Sequence, residues 1–175
     1  MSTINSLLTS LIYPKKRIST DAILYKFINY NQIEEKTFKP QAGSFKDENL
    51  SCDWNKYSTP EKTRRLIGKQ YKHGSKEFKN QKEFFICQLK VAGLLDLDPE
   101  QSFEHDPIFY FPKKKGVPNN RAHSLIIGKK TEKDQLKARA QLAMRAEWIL
   151  FDEQEFKVLL EARNLTQKSK APHTK

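Results

Sequence analysis

The stretch EFFICQLKVAGLL, residues 83–95, places Phe85, Cys87, Leu89 and Val91 at every second position, with Gln88 and Lys90 between them. Side chains alternate across a strand, so this spacing predicts a β-strand with one buried face. On that reading Cys87 is a core residue rather than a nucleophile or a ligand. Upstream, AILYKFI (22–28) is a short apolar segment suited to a first strand, entered from the turn-forming Ser19-Thr20-Asp21. NYNQIEEK (29–36) predicts a single helical turn with Ile33 facing inward, and Phe38, Pro40 and Phe45 mark an irregular connection through Gly43. Thr59-Pro60-Glu61 has a capping threonine, a proline for the first helical position and a carboxylate for the positive end of the dipole. That helix is expected to run through Arg64, Arg65, Leu66 and Ile67 and to stop near Gly68.

Downstream, Asp96, Asp98 and Glu100 around Pro99 read as a solvated turn. The segment 103–128, FEHDPIFYFPKKKGVPNNRAHSLIIG, carries an aromatic run and a lysine triplet and closes on a short apolar piece suited to a buried strand. Past Gly128 the pattern turns helical. Thr131-Glu132-Lys133-Asp134 resembles a cap, Leu136, Ala140, Ala143, Ala146 and Leu150 share a buried side, and Trp148 lies at its margin. Lys133, Lys137, Gln141 and Arg145 form a polar stripe that reads as the wet face of this helix. A second helix is expected from Glu153 to Arg163, capped by Asp152.

Strands, then a basic helix or loop, strands again and finally helices predict an α+β fold. The expected organisation is one domain over 19–163 with a small, mainly antiparallel sheet and a C-terminal helical segment. Before it lies an amphipathic segment, 1–18, with Ile4, Leu7, Leu8, Leu11 and Ile12 at helical spacing; after it, a basic disordered tail, 164–175. No run approaches the roughly 20 apolar residues of a membrane span, so no membrane partner is expected. Cys52 and Cys87 do not make a disulfide framework, and the basic cluster after the first apolar residues is in the wrong order for secretion. The expected location is the cytoplasm.

Lys and Arg number 32 against 21 Asp and Glu, a formal charge of +11, and a field of that sign attracts polyanions, nucleic acid first among them. Residues 62–82 alone hold eight Lys or Arg with Glu77 as the only acid, and Tyr71 and Phe78 lie among them. Basic side chains neutralise phosphate while aromatic faces stack on bases. The expected phosphate contacts are Arg64, Arg65, Lys69, Lys72, Lys113, Lys114, Lys115 and Arg121. Tyr71, Phe109 and Tyr110 are the stacking candidates.

His105-Asp106 and Arg121-Ala122-His123 flank the lysine loop. If their segments pair as antiparallel strands, His105, Asp106, Arg121 and His123 become candidates for proton transfer at a phosphoryl group, arginine steadying the oxygens. Paired-histidine phosphodiesterases carry a hydroxyl residue two positions beyond each histidine, where this chain has Pro107 and Leu125. The alternative is structural, with His123 hydrogen-bonded to a carbonyl and Asp106 holding a turn. Cys52, Cys87, His105 and His123 are zinc-capable, yet no two are close in sequence as structural zinc sites require. No metal or cofactor is therefore expected, and no phosphate-binding glycine loop, HExxH or GxSxG is present.

The succession LYKFI (24–28), FKP (38–40), FKDENLSCDW (45–54), YSTPEKT (57–63), HDP (105–107) and NRAHSLIIG (120–128) resembles a loose group of small uncharacterised bacterial proteins. Their pattern is an LYR-like opening strand, an LSxDW segment, a TPE helix start and a late DPxPxNxAHSxI segment. The likeness spans about residues 22–150. Lys26 stands where that pattern has arginine, and FYFPKKKGVPNN lengthens the connection before His123. The group has no established activity, so the resemblance transfers no site residues; it implies a protein that accompanies a larger one encoded beside it. The opening LYR strand is also similar to that of ADP-ribosyltransferase-like folds, whose downstream glutamate motif has no match here. The expected function is a bacterial nucleic-acid-binding accessory of a larger protein partner. The alternatives are an enzyme acting on a phosphodiester or nucleotide through His105 and His123, and a protein-binding module such as an inhibitor or an antitoxin-like partner.

Overall fold

The computed structural model describes residues 16–110, 113–130 and 136–170. Within them seven strands form one sheet: β1 (Lys16–Arg17), β2 (Ile23–Asn29), β3 (Asn49–Trp54), β4 (Phe84–Lys90), β5 (Ser102–His105), β6 (His123–Ile127) and β7 (Glu147–Leu150). Their order is β1-β5-β6-β3-β2-β4-β7, and every neighbouring pair is antiparallel. The helices are α1 (Pro60–Ile67), α2 (Leu136–Arg145) and α3 (Glu153–Lys170). The fold is α+β, as expected.

β4 pairs with β2 from Ile23↔Lys90 to Asn29↔Phe84, so Leu24, Ile28, Phe85, Cys87 and Leu89 share one face. That face meets Leu50, Cys52, Phe103 and Ile126 from the neighbouring strands, Phe45, Leu142 and Ala143 from the connections and α2, and Phe156 from α3. Each such fully buried side chain contributes about 1.5–3 kcal/mol. The opposite face is not solvent either. Tyr25, Phe84 and Ile86 pack there with Ile67 of α1. Burial on both sides explains why FFIC is a continuous apolar run rather than a strict alternation.

α1 begins and ends where the sequence places it. Thr59 caps it through its hydroxyl, 3.3 Å from the Lys62 amide, and Gly68 closes it. The turn at Tyr30–Gln32 buries Ile33, and Asp152 caps α3 with a 2.8 Å bond from the Glu155 amide.

Several expectations need correction, the buried side of α2 among them: Leu136 and Ala140 are exposed, and Ala138 and Leu142 join Ala143 in facing the core. The strand at 83–95 ends at Lys90, because Val91–Leu94 forms a 3-10 turn whose first and last residues both point into the core. Leu150 and Trp148 do not belong to a helix: α2 ends at Arg145 and Glu147–Leu150 becomes β7, which covers the outer edge of β4. The Lys137–Gln141–Arg145 stripe is not simply wet. Lys137 meets Asp98 at 2.7 Å, Arg145 meets Asp96 at 2.6 Å and Gln141 accepts from the Asp98 amide, so the acidic turn is the counterpart of the helix. α3 continues to Lys170 rather than stopping at Arg163, with Arg163 bonded to Glu35 at 2.9 Å.

Lys16 and Arg17, assigned by sequence to the amphipathic segment, are the edge strand of the sheet, and Ile18 is buried behind them. The amphipathic helix expected before Pro14, the cap at 131–134 with Lys133, and 171–175 of the expected tail lie outside the described residues.

Candidate nucleic-acid interface

Two basic segments far apart in the chain form two short arms. The first, residues 69–79, folds back on itself: Tyr71 bridges Phe78, the Lys72 amide donates to Glu77 at 2.8 Å, and the Lys79 amide donates to Gln70 at 2.9 Å. Gly74 supplies the positive φ at its tip. The second arm leaves the sheet after β5 and returns to β6. Ile108 and Asn120 exchange both backbone hydrogen bonds, the Tyr110 amide donates to the Asn119 side chain at 2.7 Å, and Lys114 bridges Val117 around Gly116. Residues 111–112 of this arm are outside the described set.

The arms touch at one place. The Tyr71 amide donates to the Gly116 carbonyl at 2.9 Å, and the Tyr71 ring lies so close over Gly116 that a Cβ there would overlap it. Gly116 also has φ +74, the left-handed region that glycine enters without steric cost. The contact joins the segment that carries exposed Lys113, Lys114 and Lys115 to the one that carries exposed Lys69, Lys72 and Lys76.

The aromatic candidates divide. Tyr71 is held between Gly116 and Phe78, whose ring lies 4.9 Å away, so it is a structural pivot and not an open stacking face. Phe78 is the exposed ring of that pair, at 45%. Tyr110 is half-buried with the Lys114 ammonium 5.3 Å from its centre, and Phe109 is also half-buried. Among the cations, Arg65 is exposed on α1, whereas Arg64 is committed: its guanidinium binds both Glu155 oxygens at 2.8–2.9 Å and the carbonyls of Gln81 and Lys82. The Arg121 guanidinium packs 4.6 Å over the Tyr57 ring at the base of the second arm.

β5 and β6 do pair as antiparallel strands, but the pairing separates the two histidines. His105 is the register partner of Ser124 and shares its buried face; His123, one position earlier on β6, points the other way. His105 is enclosed, stacked 4.9 Å from Tyr57 and donating Nε2–H to the Arg121 carbonyl at 2.7 Å. Burial, first of all, holds its pKa below the usual imidazole value. His123 lies 2.6 Å through Nδ1 from the Asp106 carbonyl and 3.8 Å from the Asp106 carboxylate, with Nε2 3.2 Å from Ser51 Oγ. A carbonyl only accepts, so Nδ1 carries the proton and Nε2 accepts from Ser51. The two rings therefore do not form an acid–base pair.

Below the second arm, Asp53 is buried with both oxygens occupied: Thr63 Oγ1 of α1 donates at 2.7 Å and Asn120 Nδ2 at 2.7 Å. One carboxylate thus ties the helix and the arm to β3. Lys130 is fully buried and donates to the Glu48, Ile126 and Gly128 carbonyls at 3.0–3.1 Å, while burial brings its pKa down to about 8. Burial pushes the Cys52 thiol up to about 12 and raises that of Cys87 as well. Among the described residues no cluster of His, Cys, Asp and Glu could hold a metal ion. A groove of about 340 Å³ runs along β1 and β5, but Lys16 and Arg17 face Glu100 and Glu104 there, so it offers both signs of charge.

Sequence reasoning missed Phe78 as a candidate contact and Ser51 as the partner of His123. For Phe78 a signal existed, since it sits between Lys76 and Lys79 on the strand opposite Tyr71. No family model matches this chain, and no curated protein or solved structure matches it either.

Proposed function

We propose that this chain binds nucleic acid through phosphate contacts from its two joined arms, as a bacterial, cytoplasmic accessory to a larger protein. The observation that carries the reading is the Tyr71–Gly116 contact, which joins the arm bearing Lys113–Lys115 to the arm bearing Lys69, Lys72 and Lys76. Of the cations in the two arms, Lys72 pairs with Glu77 at an exposed site, and among the described residues the lysine triplet has no ion-paired acid. Exposed pairs of that kind are worth about 0–1 kcal/mol, too little to cancel the local positive field. With Tyr71 occupied, phosphate contact rather than base stacking dominates, so binding is largely independent of base sequence.

Fluorescence anisotropy with duplex and single-stranded oligonucleotides across a salt series tests this. Counterion release makes log K fall linearly with log salt at about 0.9 per duplex phosphate contacted. Replacing Lys113, Lys114 and Lys115 with Gln should reduce that slope by about 2–3. An affinity flat between low and physiological salt removes the reading.

A second reading, as an enzyme, rests on one observation: Ser51 Oγ donates to a His123 Nε2 whose tautomer the Asp106 carbonyl sets. Nucleophile, base and orienting group are then in order. Ser51 would attack an electrophile while its proton passes to Nε2. A fluorophosphonate separates the readings, since Oγ would bond to phosphorus with loss of fluoride. An adduct on Ser51 that His123→Gln abolishes supports the enzyme; an unlabelled Ser51 dismisses it.

A further inference from the structure

Lys26 and Lys79 take no part in the arms' exposed lysine surface, and their surroundings are unusual. Lys26 is only 7% exposed, yet its ammonium makes no hydrogen bond or ion pair among the described residues; it lies over the Phe27 ring, 4.6 Å from the centroid. Lys79, half-buried at the root of the first arm, points its ammonium at the same ring, 5.9 Å from the centroid, and bonds the neutral Gln70 side chain at 2.9 Å. The two charges feel one another: burial and then Lys26 hold the Lys79 pKa below the usual lysine value. A ring quadrupole attracts cations but does not neutralise them. Two partly desolvated like charges, neither ion-paired to a carboxylate among the described residues, are a cost that folding alone gives no reason to keep.

We propose that Lys26 and Lys79 form a phosphate site over Phe27, suited to a terminal phosphate monoester. The choice of monoester follows from charge. A backbone diester carries one negative charge, whereas a phosphate with a second pKa near 6 carries close to two at neutral pH and has three oxygens to offer. Two ammoniums on flexible stems match that dianion as point charges without a fixed fork geometry. Lys79 is also the last lysine of the first arm, so the site lies where that arm's basic surface joins the sheet. The inference rests on the nucleic-acid reading, with the phosphorylated end of a strand as ligand. A free nucleotide or inorganic phosphate presents the same chemistry.

The test uses the full chain and oligonucleotides of one sequence, carrying a phosphate at the 5′ end, at the 3′ end, or hydroxyls at both. The phosphorylated strand should bind about tenfold more tightly than the hydroxyl-ended one, as one additional charge-assisted contact provides. That preference should vanish in Lys26→Met, which keeps the buried stem, and in Lys79→Gln, which is nearer the surface and spares folding. Both variants should retain the weaker, salt-sensitive binding of the hydroxyl-ended strand. Equal affinity for all three strands in the native chain overturns the phosphate site and leaves the nucleic-acid reading standing. Inorganic phosphate that raises Tm only when both lysines are present, with no strand bound, supports the site for a small phosphate and removes the nucleic-acid reading. With neither strand nor phosphate bound, both fall.

Discussion

His105 is the clearest case of a residue whose chemistry is set by what encloses it. Its ring is stacked on Tyr57, edge-on to Trp54, and bonded to the Arg121 carbonyl. Burial favours the neutral ring, so the folded pKa lies below the unfolded value of 6.5. Below pH 6.5 the unfolded chain takes up a proton that the folded chain refuses, and stability falls as pH drops toward the folded pKa. We expect urea midpoints to decline between pH 7.5 and pH 5, and the decline to be smaller in His105→Phe, which keeps the stack but cannot titrate. A midpoint gap between the two chains that does not change with pH would contradict this. Asp53 belongs to the same scale. Removing it in Asp53→Ala leaves the buried Thr63 hydroxyl and the Asn120 amide without their shared acceptor, and hydrogen bonds to a charged group are worth about 1.5–3 kcal/mol each. We expect a loss of about 3 kcal/mol in chemical unfolding. A loss below about 1 kcal/mol would mean that water replaces the carboxylate.

Elements here are joined through single residues. Gly116 is where the second arm meets the first, and two independent constraints act on it: the left-handed backbone and the Tyr71 ring over its α-carbon. Gly116→Val should separate the arms. The core does not extend to either arm, so the variant should unfold within about 1 kcal/mol of the native chain while its affinity for oligonucleotides falls. Affinity unchanged in a variant shown by amide exchange to have lost the Tyr71–Gly116 bond would mean that the arms bind separately. The strands tell a related story. Leu50, Cys52 and Trp54 alternate with Ser51 and Asp53 much as Phe85, Cys87 and Leu89 do with their neighbours, a signal for β3 that the sequence reading passed over. β7 has no such signal. Its helix-like spacing of apolar residues continues that of α2, and only the vacant edge of β4 makes EWIL a strand.

Over the whole molecule, charge is arranged as patches and pairs. Asp96 and Asp98 meet Arg145 and Lys137 on the side of α2, and Glu155 meets Arg64, which takes one expected phosphate contact out of play. The Asp96 and Asp98 pairs are exposed, and such pairs contribute about 0–1 kcal/mol. The double variant Asp96→Asn, Asp98→Asn should therefore shift stability by no more than about 1–2 kcal/mol. A larger loss would show the acidic turn to be a principal support of α2. Neutralising it also raises net positive charge, so nonspecific binding of polyanions should strengthen in the same variant.

Composition and short-range pattern were enough for the α+β class, for β2, the core of β4, and α1 with both its caps, because those follow from side-chain periodicity and from local hydrogen bonding that a few adjacent residues settle among themselves. They were also enough for a strongly basic surface, since charge is additive along a chain. Tertiary structure alone decided which charges remain available and which are spent. Arg64 against Glu155, His105 and His123 on opposite sides of one sheet, and Lys79 beside Lys26 all depend on register and on contacts between residues distant in the chain. A one-residue offset in a strand reverses the face a side chain occupies, and no local rule carries that information.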